Sequence, residues 1–179
     1  ELSYRKAIEI NPNFANAYFN LGNILRELGN LNESELSYRK AIELNPNFAN
    51  AHLNLGNIFR ELGNLQEAEL FYRKAIEINP NLPNAYYNLG IILRDLRNFK
   101  KAELYTRKAI ELNPNFAAAY FNLGNILRIL DNLQEAELSY RKAIEINPNF
   151  ANAYYNLGII LRDLGNLINA ELFLSLIHI

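Results

Sequence analysis

The side chains able to do catalytic or metal chemistry are few in this 179-residue chain, which has two histidines and no cysteine, methionine or tryptophan. Without a thiol there can be no disulfide framework, cysteine nucleophile or thiolate metal site. His52 stands where other segments carry Tyr18, Tyr86, Tyr120 and Tyr154, which makes it a packing residue, and His178 lies in an aberrant tail. Neither has a second histidine beside it to complete a ligand set or a proton-transfer pair. The glycines recur in Leu-Gly-Asn and Leu-Gly-Ile, and no Gly-Lys-Ser/Thr phosphate loop is present. Carboxylates run chiefly beside basic partners, as on a solvated helix face. The Asn32-Glu33-Ser34 sequon is single, opens a helix and reads as accidental. We therefore expect no active site, no metal and no cofactor, and a chain that is not an enzyme.

The excess is in amides. Asparagine supplies 29 residues, and Asn20, Asn54, Asn88, Asn122 and Asn156 fall at one constant spacing. A primary amide offers a donor and an acceptor, so a row of them can pair with the main chain of an extended peptide whatever its sequence. The same row could instead solvate an exposed face or bond to an adjoining helix. Arg26, Arg60, Arg94, Arg128 and Arg162 form a second row, seven residues after Phe19, Leu53, Tyr87, Phe121 and Tyr155. Arginine and aromatics are the types enriched at binding hot spots. An intramolecular salt-bridge row with the next segment would use the same arginines. Glu27, Glu61, Asp95 and Asp163 directly follow four of the five arginines, and the formal net charge is -1, which argues against nucleic acid. No apolar run approaches the roughly 18 residues of a membrane span. We expect a soluble, cytoplasmic protein that binds neither nucleic acid nor membrane.

These rows require elements that repeat. Asn-Pro-Asn begins at Asn11, Asn45, Asn79, Asn113 and Asn147, a period of 34 without insertions. Residues 15–48 and 49–82 agree at 26 of 34 positions. At 100° per residue, Ala17, Tyr18, Leu21, Gly22, Ile24, Leu25 and Leu28 gather on one side of a helix A over 15–28. Asn16, Phe19, Asn20, Asn23, Arg26 and Glu27 gather on the other. Gly29-Asn30 stops this helix, and a helix B follows from about 32 to 44, with Leu31, Ser34, Tyr38, Ala41 and Ile42 as its stripe. Asn45-Pro46 ends it. Such a hairpin cannot bury its own apolar face, so neighbours must stack. The organisation is a half repeat at 1–14, repeats at 15–48, 49–82, 83–116 and 117–150, and a truncated repeat at 151–173, in one array with no linker.

Tyr18-x-x-Leu21-Gly22-x-x-Leu25, followed by Ser34-x-x-x-Tyr38, Ala41 and Pro46, resembles the tetratricopeptide repeat pattern over nearly the whole chain. The resemblance implies an all-α, right-handed α-α superhelix of stacked antiparallel helix pairs, with helix A lining a concave groove. Arg97 and Asp131 replace the glycine between the helices, which puts the turn geometry of those two repeats in question. Asparagine rows are similar to those in the superhelical repeat region of O-linked N-acetylglucosamine transferases, where they hold substrate backbones. The lysines of carboxylate-clamp domains are missing, so chaperone tails are not the expected ligand. Ile91 and Ile159 stand where repeats one, two and four have Asn23, Asn57 and Asn125, and Ile129 replaces an acid. They read either as apolar pockets between amide rungs or as drift among duplicated repeats.

The chain opens inside a helix B, and its period fails after Phe173. Residues 174–179, Leu-Ser-Leu-Ile-His-Ile, read as an artefact of a truncated frame that resembles a translated sequencing adapter. An uncapped apolar end would promote self-association. The sequence thus points to a scaffold that binds an extended peptide or partner segment in the groove. The competing expectation is the substrate-recruiting repeat region of a larger enzyme such as a glycosyltransferase.

Overall fold

The computed structural model describes residues 1–165 and is helical throughout its regular elements. Among the described residues the helices are α1 (Leu2–Ile10), α2 (Ala15–Glu27), α3 (Leu31–Leu44), α4 (Ala49–Glu61), α5 (Leu65–Ile78), α6 (Pro83–Asp95), α7 (Phe99–Leu112), α8 (Ala117–Ile129), α9 (Leu133–Ile146) and α10 (Ala151–Asp163). Even-numbered helices are the A helices and odd-numbered helices the B helices. The expectations placed on 166–179, including His178, the artefactual tail and its self-association, lie outside the described residues. The chain packs as two compact units, Glu1–Ala85 and Tyr86–Ile179, whose boundary falls inside α6.

The A helices α2, α4, α6 and α8 stop in the same way. The Asn30 amide donates to Leu25 O (2.8 Å) and the Gly29 amide to Arg26 O (3.0 Å), the paired bonds of a Schellman motif. Its penultimate residue must be left-handed, and Gly29, Gly63 and Gly165 have φ of 77–78°. Arg97 and Asp131 hold the same place with φ of 61° and 60°. The two substitutions therefore leave the turn intact and force a side-chain-bearing residue into a strained conformation. Leu28, expected on the apolar face, is 60% exposed because the helix has already ended at Glu27.

The turn after each B helix explains the first asparagine of every Asn-Pro-Asn. Asn45 Oδ1 accepts the amide of Asn47 (3.2 Å) while Asn45 O accepts that of Phe48 (3.1 Å), an Asx turn superposed on a backbone turn. The pattern recurs at Asn11, Asn113 and Asn147.

Between A and B helices of a repeat the packing is close. Ser34 is fully buried and its Oγ donates to Gly22 O (2.7 Å). A Cβ on Gly22, Gly56 or Gly124 would come within 2.6–2.7 Å of the ring of Tyr38, Tyr72 or Tyr140, respectively. In the second unit Leu123, Leu127, Ala136, Tyr140, Leu157, Ile160 and Leu161 form one buried cluster drawn from α8, α9 and α10.

Candidate binding face on the A helices

The polar face of helix A owes its position to the opposite face, which small and branched residues anchor: Ala17, Leu21, Gly22 and Leu25 in α2, and Ala153, Leu157, Gly158, Ile160 and Leu161 in α10. The sequence-derived rows of amides, arginines and aromatics then fall on the remaining surface. Their environments are not alike.

In the amide row Asn54, Asn122 and Asn156 are bonded to the preceding repeat, and Asn54 and Asn156 stay half-buried. Asn54 Nδ2 donates to Asn23 Oδ1 of the preceding repeat (2.8 Å), and the same oxygen accepts the Tyr38 hydroxyl (2.8 Å). Asn156 Nδ2 donates to Asn125 Oδ1 (2.8 Å), which accepts the Tyr140 hydroxyl (2.9 Å). A tyrosine, a same-repeat asparagine and the next repeat's row asparagine thus form a relay. Asn122 keeps the bond with different chemistry, donating to Thr106 Oγ1 (3.0 Å) because repeat three has Ile91 and Thr106 in place of asparagine and tyrosine. Its Oδ1 accepts from Arg94 Nη1 (2.7 Å), and the residue is only 2% exposed. Asn88 is buried, and Asn20 is half-buried in α2. Tyr38, Tyr72 and Tyr140 are absent from the sequence-derived site. The signal was present as a fixed spacing of 15 from the asparagine, with both partners replaced together in repeat three.

The arginine row divides by its acid. Arg26 reaches Glu61 of the next repeat, with Nε at 2.9 Å. Arg94 and Arg162 instead bind the adjacent Asp95 and Asp163, with Nη2 at 2.9 and 3.1 Å. The place that Glu61 holds relative to Arg26 is held by Ile129 relative to Arg94, which leaves that arginine no acid there in the next repeat. Arg60 is half-buried. Arg128 is exposed, and its guanidinium has no hydrogen bond or ion pair among the described residues. Ile129, beside it, is 48% exposed.

The aromatic row is mostly engaged at repeat junctions. Phe19 lies 4.7 Å from Phe48, Tyr87 4.8 Å from Phe116 and Phe121 4.8 Å from Phe150, centroid to centroid. Leu53 is buried, and Tyr155 is 54% exposed. Burial pushes the phenols of Tyr72 and Tyr140 up to about 12, so these hydroxyls act as donors at any ordinary pH.

In the first unit these residues frame a recess of about 470 Å³ lined by Asn23, Arg26, Glu27, Tyr38 and Glu61. A second recess, of about 420 Å³, opens elsewhere, between α1, α2 and α3, and includes Arg5, Tyr18, Glu33 and Leu36. Leu36, Leu70, Leu104 and Leu138 repeat on the B helices and are 60–67% exposed, a feature the period alone did not flag.

Family models described as tetratricopeptide or TPR repeats match residues 22–59 and 56–95, 83–116 and 117–150, and 3–35 and 139–171. Among solved structures, YrrB, described as a TPR protein with an unusual peptide-binding site, is 31% identical, with 96% of this chain and 89% of that one covered and a TM-score of 0.80. The chain belongs to the tetratricopeptide repeat family. Its fold is the all-α solenoid of that family, and it is a protein-interaction scaffold in kind. MamA is 26% identical over 86% of this tetratricopeptide array and 90% of that chain, TM-score 0.80. PilF of Pseudomonas aeruginosa, at 23% identity, covers 92% and 75% with a TM-score of 0.84 and shares the fold. Comparison with the curated proteins gives no match. No helix among the described residues is long and apolar enough to cross a membrane.

Proposed function

We propose that the A-helix face binds an extended segment of a protein partner, without catalysis by this chain. The observation that carries the reading is the relay. By donating one N–H to the preceding repeat, Asn54 and Asn156 are held in one rotamer while remaining half-buried rather than covered. An amide fixed in this way meets a peptide main chain without a further loss of side-chain freedom. The peptide-binding site named for YrrB, 31% identical over nearly the full length, supports the same use here.

The test is panning of random twelve-residue peptides on the chain, followed by affinity measurement on the double variant Asn54→Ala and Asn156→Ala, the two relay amides that stay half-buried. Asn23 Oδ1 keeps the Tyr38 hydroxyl and Asn125 Oδ1 keeps the Tyr140 hydroxyl, so neither substitution leaves the preceding repeat's oxygen without a donor. The variant should keep its helical circular dichroism and lose at least about tenfold in affinity, on the order of 1.4 kcal/mol. Unchanged affinity would make the amide row purely structural and end the proposal.

A further inference from the structure

The rung at repeat four differs from its counterpart at repeat one in its two acids, and the difference selects a ligand. In repeat one Arg26, Glu27 and Glu61 line the recess together, and the guanidinium is closed onto Glu61. Adding three periods to each lining residue gives Asn125, Arg128, Ile129, Tyr140 and Asp163. The polar frame is shared by the two rungs, because Tyr140 donates to Asn125 as Tyr38 does to Asn23, and the next repeat's asparagine donates to the same oxygen. Arg128 also stands in the same relation to its tyrosine, since its charge opposes the upward push of burial on the Tyr140 phenol as that of Arg26 does for Tyr38.

The acids do not correspond. Glu27 has become Ile129, and Glu61 has become Asp163, whose carboxylate is taken by Arg162 (3.1 Å). The repeat-one set carries one cation and two anions; the repeat-four set carries one of each, with the anion already engaged. Asp131, one turn beyond Arg128, closes the Schellman turn through its backbone and makes no ion pair with that arginine. What remains is an exposed guanidinium beside an exposed isoleucine, with a fixed amide one turn earlier.

Resting on the reading of this face as a peptide site, we infer that the rung formed by Asn125, Arg128 and Ile129 takes an aspartate or glutamate side chain of the bound segment, followed or preceded by an apolar residue. A planar guanidinium accepts a carboxylate in a bidentate pair, which a closed rung such as Arg26–Glu61 cannot do without losing its own partner. The segment is thereby registered on the array at one repeat, although the amide row alone would let it slide by whole periods.

The experiment uses fluorescein-labelled twelve-residue peptides recovered by panning on the full chain, resynthesised with each Asp or Glu changed to Asn or Gln. The amide peptides should bind the wild-type chain about tenfold more weakly and should bind Arg128→Gln no more weakly than the acidic peptides do. Arg26→Gln should shift affinity less than about twofold, and Ile129→Glu, which restores the acid of the other repeats, should match Arg128→Gln. Peptides that need the asparagine row but are indifferent to the acid-to-amide exchange would overturn this inference and leave the peptide-site reading standing. Peptides whose binding ignores the asparagine row would overturn both. Displacement of an acidic peptide by equimolar single-stranded RNA would assign the guanidinium to phosphate and overturn the carboxylate.

Discussion

His52 sits where other repeats have tyrosine, 6% exposed, with its ring 6.0 Å from that of Phe71. Its Nε2 lies 3.0 Å from Pro46 O and so carries the proton, leaving Nδ1 buried without a partner. Burial holds its pKa below the ordinary value, and Lys74 adds to the effect against the pull of Pro46 O and Glu77. A base whose folded pKa is depressed keeps its full contribution above the unfolded value, about 6.5. As pH falls below that, the unfolded chain takes up the proton first and stability is lost until the folded form also titrates. The urea midpoint should therefore drop between pH 7.5 and 5.5, and His52→Tyr should flatten the drop; equal slopes for the two proteins would exclude His52 as the cause. The left-handed residues give a second prediction. Arg97→Gly relieves a non-glycine φ of 61° and should raise stability by about 0.5–1 kcal/mol in urea titrations, the relief of strain exceeding the added freedom of the unfolded chain. Asp131→Gly should gain less, because aspartate tolerates this region better.

At the scale of the helix pair, the glycine inside each of α2, α4, α6 and α8 is a contact rather than a hinge. Gly124→Ala would drive a methyl into the Tyr140 ring, within 2.6 Å, and should cost about 1–3 kcal/mol, read as a lower thermal midpoint with unchanged helicity. The relay predicts coupling. Asn125→Ile strands the Tyr140 hydroxyl and the Asn156 amide and should cost about 2 kcal/mol, whereas Tyr140→Phe leaves Asn125 satisfied by Asn156 and should cost about 1. The double variant should cost about 1 kcal/mol less than the sum, since phenylalanine has no hydroxyl to strand; strict additivity in a double-mutant cycle would refute the relay. The helices themselves were legible, because apolar periodicity, Gly-Asn and Asn-Pro stops are local signals: 15–28 and 32–44 were expected and Ala15–Glu27 and Leu31–Leu44 are found. The rows of the site were legible as a face but not as an occupancy. Whether Asn54 addresses solvent or Asn23 depends on the stacking offset between repeats, which no 34-residue window contains. The choice of partner by Arg26 and Arg94 followed from the next repeat, which offers Glu61 to the first and Ile129 to the second. The tyrosine in the relay was read as helix B stripe, since its ring is core and only its hydroxyl belongs to the polar face.

For the whole molecule, the stacking of like units makes stability a sum over repeats and their junctions. α1 contributes no buried residue, and its Leu2 and Ile10 are 83% and 76% exposed, whereas α4 buries Ala51, His52, Leu53, Leu55, Gly56, Ile58 and Phe59. Amides of Leu2–Ile10 should accordingly exchange with deuterium well before those of Ala49–Glu61, in native-state hydrogen exchange followed by mass spectrometry. Comparable protection in the two segments would contradict the nearest-neighbour picture. The relay also bears on how such a chain is made. Its polarity is fixed: the later repeat brings the amide donor, and the earlier one offers an oxygen, whether Asn23, Thr106 or Asn125. Because the plug is constant and every socket seen accepts it, a duplicated 34-residue cassette dropped in register meets a compatible neighbour on both sides at once. Copying therefore needs no compensating mutation at the seam, and repeat number can drift by recombination while the groove chemistry of each rung is tuned separately.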